Sequence, residues 1–133
     1  MNHSVQPVTS ASLPAPAGPY SPATRVGNLV FVSGQAGRDP STRALAGPDV
    51  EAQTEQTLKN IAAILEAAGS GLQHVLRCGV FLVDIREFPR MNEVYARMFG
   101  SHRPARTTVE VSALPGGDEL RVEIDAIALV PEA

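Results

Sequence analysis

The sequence predicts an α+β domain, a β-sheet with two helices on one face in the order β-β-α-β-α-β-β, and three observations predict it. Residues 49–69 and 88–100 carry apolar side chains at helical spacing. Residues 75–84 and 120–129 read as strands, the first almost continuously apolar and the second alternating along its length. Turn signals at Gly27-Asn28, Asp39-Pro40, Gly69 and Gly116-Gly117 separate these segments.

Taken in order, residues 1–17 are polar and proline-rich, which predicts a mobile lead-in, with a single domain spanning 18–130. Gly18-Pro19-Tyr20-Ser21-Pro22 is a rigid turn that presents Tyr20 at a fixed angle. Gly27-Asn28 joins Thr24–Val26 to Leu29–Ser33 as a tight hairpin with positive φ. Its second strand enters Ser33-Gly34-Gln35, which suits either the close approach of a ligand or a β-bulge. After a long connection holding a short strand near 44–46, Asp49 caps a helix whose stripe is Val50, Leu58, Ile61, Leu65 and Ala68, with Gln53 off it, and Gly69 ends it.

In the next strand, Leu76, Cys78, Val80 and Leu82 form an apolar face, and Val75, Arg77, Gly79, Phe81 and Val83 a mixed one. The second helix buries Met91, Val94, Tyr95, Met98 and Phe99, leaving Asn92 on another azimuth. Pro104 leads into a strand in which Arg106, Thr108 and Glu110 share a polar face, and a guanidinium held there is a good fork for a small carboxylate. In the last strand Leu120, Val122, Ile124, Ala126 and Ala128 face the core and Arg121, Glu123 and Asp125 face away. If the last two strands pair as consecutive antiparallel neighbours, Arg106 and Glu123 line one surface.

With 133 residues the chain is large enough for a core without disulfides, and the single Cys78 reads as an inert thiol in a reducing, cytoplasmic setting. A net charge of −3 with scattered arginines argues against nucleic acid as a partner, and no run is apolar and long enough for a membrane span. His3, His74 and His102 are too dispersed to suggest a metal site. The sheet's second face mixes Val75, Phe81, Val83, Ile127 and Leu129 with Arg77, Arg106, Glu123 and Asp125. Such a face predicts an oligomer, with aliphatics packed at the centre and charges lining clefts between copies.

Together these segments resemble the RidA family, also called YjgF, of imine/enamine deaminases. The resemblance rests on Gly18–Pro22, Val32-Ser33-Gly34-Gln35, Ala67-Ala68-Gly69, Val80–Asp84, Met91–Tyr95, Pro104-Ala105-Arg106 and Val122–Ala128. It implies a chorismate-mutase-like mixed sheet and a homotrimer in which three sheets form a barrel, with a site at each subunit interface. It also implies hydrolysis of 2-imino acids and 2-aminoacrylate-type enamines to 2-keto acids and ammonia, which protects pyridoxal phosphate enzymes. By motif, Arg106 would hold the substrate carboxylate, Glu123 would orient or deprotonate water, and Tyr20, Ser33, Gly34, Asn92 and Thr108 would shape the substrate-binding pocket.

A protonated imine carbon is already electrophilic, so neither metal nor organic cofactor is expected. Two departures stand out. Thr108 occupies a position where many deaminases carry cysteine, and Arg38 and Arg103 add cations that suit a larger or more anionic substrate. The alternatives are a binding protein for a 2-keto acid or amino acid, and RNA cleavage or translation inhibition.

Overall fold

In the computed structural model, which describes residues 4–132, the chain forms β1 (Gln6–Val8), β2 (Ala23–Val26), β3 (Leu29–Ala36), α1 (Val50–Ala67), β4 (Val75–Leu82), α2 (Phe88–Phe99), β5 (Ala105–Glu110) and β6 (Val122–Leu129). The first strand adds one element to the predicted order. Gln6–Val8 pairs antiparallel with Ala23–Arg25, and Val8 and Leu13 reach the core, so the segment expected as a mobile lead-in is tied to the sheet. Pro7 is compatible with this place because β1 is an edge strand. Residues 1–3 of that lead-in, His3 among them, lie outside the described residues.

The six strands make one mixed sheet in the order β1-β2-β3-β6-β4-β5. The β2–β3 hairpin turns on Gly27, whose φ of 58° carries the positive sign alone, without Asn28. Only β4 and β5 run parallel, joined by α2 as a crossover. The last strand enters the middle, between β3 and β4, so β5 and β6 are not neighbours. This overturns the consecutive pairing expected from the sequence, because a parallel crossover sends β5 to the outside and leaves β6 the inner slot.

Both helices pack on one face and share a core with Val30, Val32, Cys78, Val80, Leu82, Val122, Ile124, Ala126 and Ala128. In α1, Asp49 accepts a hydrogen bond from the Ala52 amide at 2.8 Å and Gly69, at φ 83°, follows the last turn, as the sequence indicates. Gln53 departs from its expected exposed place: it is fully buried. Its amide donates to the Gly47 and Glu119 carbonyls at 2.9 Å each, and its carbonyl accepts from the Arg121 amide at 2.7 Å. Hydrogen bonds to three loop groups satisfy both ends of the amide and make its burial tolerable.

In β4 the register slips between Val75 and Arg77, so the predicted alternation fails at its start. The bulge turns Val75 into the core and leaves Leu76 exposed. Beyond that point Phe81, Ile127 and Leu129 face away from the helices, beside Phe31, 42% exposed, and Val109, 40% exposed. Among the described residues no helix is long and apolar enough to cross a membrane.

Candidate active site

The two residues expected to carry the chemistry lie on opposite faces of the sheet. Arg106 is the register partner of Cys78, which points into the core, so its side chain turns toward the helices. There the guanidinium carbon lies 4.7 Å from the Tyr95 ring centroid and 5.4 Å from that of Phe88. Two ring faces hold the cation at the outer edge of β5, an arrangement worth about 0.5–2 kcal/mol per contact. Phe88, Asn92 and Tyr95 are spaced as one ridge of α2, so Asn92 joins this cluster instead of standing apart from it. The Asn92 carbonyl oxygen and the Tyr95 hydroxyl are buried without a hydrogen-bond partner. Burial raises the Tyr95 phenol well above its usual range, so it stays protonated, a neutral floor under the cation. Thr108 follows Arg106 on the same face.

Glu123 is the register partner of Phe81 and of Ala36, on the face the helices leave open. Its carboxylate lies against Gly34, where a Cβ would come within 2.9 Å of Cδ. Glycine is required at that position because the side chain from the next strand occupies the space. The register slips between Val32 and Gln35, so Ser33 and Gly34 together face Asp125, which makes the segment a β-bulge as well as a close approach. Burial raises the Glu123 pKa above the ordinary glutamate value, and the Asp125 charge raises it further. Asp125 is itself fixed by the Gly79 amide, which donates to Oδ1 at 2.8 Å.

Ser33 turns inward. Its hydroxyl donates to the Ser21 carbonyl at 2.7 Å, and its amide donates to the Pro22 carbonyl at 3.0 Å, which binds the Gly18–Pro22 turn to β3. That turn brings Tyr20, half exposed, to the rim of a cavity of about 250 Å³ that Gly34 and Glu123 also line. The cavity's outer wall was not legible in the sequence, because residues 12–17 have too little local pattern to be placed. Arg38 lines that cavity, whereas Arg103 is not among its lining residues. Arg38 braces loops by donating to the Gly116 carbonyl at 2.8 Å and to the Arg43 carbonyl at 3.1 Å, and Arg103 donates to the Gly100 and His102 carbonyls. Among the described residues no three metal-ligating side chains gather.

The chain therefore presents two separate clusters: a cation cradled by rings at the sheet edge, and a carboxylate of raised pKa with Tyr20 and Gly34 on the open face. Two strand spacings, roughly 10 Å, and the sheet itself separate them.

The sequence profile of the family described as Endoribonuclease L-PSP matches residues 10–130. The chain is 47% identical to a RutC family protein of Pyrococcus horikoshii, over 91% of this chain and 94% of that protein. It is 41% identical to the human protein named 2-iminobutanoate/2-iminopropanoate deaminase, over 92% of this chain and 88% of the other. The crystal structure of RidA from an Antarctic Psychrobacter superposes with a TM-score of 0.86 at 43% identity, over 93% of this chain and 98% of that one.

Proposed function

The chain belongs to the family described as Endoribonuclease L-PSP, the RidA or YjgF family, and from that membership we propose that it is a hydrolase of reactive 2-imino acids and their enamine tautomers. The observation that carries the reading is the pair of half-sites, a positioned guanidinium and a carboxylate of raised basicity on opposite faces of one sheet. They meet when a second copy covers the open face. A homotrimer, with three sheets closed into a barrel and a site at each interface, is the assembly we propose. The exposed Phe31 and Val109 on that face support it.

In this assembly Arg106 of one copy binds the substrate carboxylate, a charge-assisted contact worth about 1.5–3 kcal/mol. Glu123 of another copy takes a proton from water as the water oxygen bonds to C2 of the protonated imine. The carbinolamine then collapses: its nitrogen, protonated, leaves as ammonia, the hydroxyl proton is lost, and C2 becomes the ketone carbon of a 2-keto acid. An enamine enters by protonation at its terminal carbon, which gives the same imine. The closed bulge at Ser33-Gly34 and the Tyr20 turn keep the carboxylate and its water in place.

The family's description favours a second reading, RNA cleavage. A net charge of −3 and an aromatic content of 5% weigh against it, since RNA recognition draws on basic surface and stacking rings. The test is the loss of an imine generated in place by an amino-acid oxidase, with semicarbazide trapping what remains. Faster loss with the wild type than with Arg106→Ala is the expected result. Equal loss with and without protein, across small, branched and aromatic imines, would remove the hydrolase reading.

A further inference from the structure

We infer that the cavity beside Glu123 is a side-chain pocket, and that the preferred substrates are 2-imino acids with a branched aliphatic or aromatic side chain. The inference rests on the hydrolase reading above and names its substrate class. Gly34, Tyr20 and Glu123 all line the cavity, so the side chain of a substrate attacked by a water at Glu123 has this space beside it. Leu13 and Pro16 on the outer segment face Ala63 and Ile64 on the flank of α1 across the space.

The size fits. An apolar cavity of about 150 Å³ is enough for a benzene ring, and this one measures about 250 Å³. An isobutyl or benzyl group fits inside it and covers more of its walls than the methyl of an alanine-derived imine does.

Three polar side chains on the walls, Asn60, Gln35 and Arg38, are already bonded within the protein. Asn60 donates to the Ala36 and Arg38 carbonyls at 3.1 and 2.8 Å and accepts from the Gln56 amide at 2.9 Å. Gln35 donates to the Ser33 carbonyl at 3.1 Å, and Arg38 braces the Gly116 and Arg43 carbonyls. Most of the other lining residues, among them Leu13, Pro14, Pro16, Ala63 and Ile64, are apolar, which favours an apolar side chain over an amide-bearing one.

The experiment compares kcat/KM for the imine of leucine with that for the imine of alanine, in the wild type and in two variants that narrow the cavity from opposite walls, Ala63→Leu and Ala17→Leu. The expected wild-type preference is for the leucine-derived imine, and the ratio falls about tenfold or more in each variant, the scale set by added methylenes in an apolar pocket. An unchanged ratio in both folded variants overturns the pocket while leaving the hydrolase reading intact. Should the wild type hydrolyse no imine, calorimetry with 4-methyl-2-oxopentanoate and with pyruvate decides the pocket separately. Tighter binding of the branched keto acid, weakened by Ala63→Leu, upholds it, and equal binding of the two acids overturns it.

Discussion

At the residue scale the proposed chemistry falls on Glu123, and its environment sets the sign of two effects. Burial and the Asp125 charge raise its pKa, so the acid limb of the pH profile of kcat/KM lies above that of an ordinary glutamate. Glu123→Gln removes this limb and lowers imine hydrolysis about 10²–10⁴-fold, which a pH series of oxidase-coupled assays reads directly. The same shift works against stability at neutral pH. A group with a raised folded pKa stabilises the fold when protonated, and the benefit is lost as pH rises through the folded value. Glu123→Gln should therefore withstand more urea than the wild type at pH 7. Gly34→Ala places a methyl group where the carboxylate lies, so the expected outcome is a native circular dichroism spectrum with activity down about 10²-fold, the scale of a misplaced catalytic group.

At the scale of elements, α1 and the strand bulges show what the sequence could and could not reveal. The N-cap at Asp49, the stop at Gly69 and the hairpin at Gly27 were legible because each depends on two or three adjacent residues. The inward turn of Gln53 was not, because its three partners, Gly47, Glu119 and Arg121, come from loops far apart in sequence. Gln53→Leu keeps the volume and leaves those groups unpaired, so it should cost about 3 kcal/mol in urea unfolding. The slip at Leu76 was equally hidden, since Val75 and Leu76 are both apolar and only the pairing with β6 decides which one faces inward. The candidate site was legible as a residue set through short motifs. Its division between faces was not, because placing β6 between β3 and β4 is a property of the whole topology.

For the whole molecule, the proposed hydrolase reading makes assembly a condition of activity, because that division leaves the two residues apart in one copy. Phe31→Asp or Ile127→Asp puts a charge on the open face, and either is expected to yield a smaller sedimenting species without imine turnover. The most direct test of the two-copy site mixes two inactive proteins. Arg106→Ala and Glu123→Gln are each purified, dissociated together, reassembled and checked for mixed species by native mass spectrometry. A site that takes Arg106 from one copy and Glu123 from another is intact wherever the neighbours complement each other, so a random equal mixture should recover roughly a quarter of wild-type activity. Mixed assemblies with no more activity than the two variants measured apart would contradict the account, because the two residues would then be acting within a single copy.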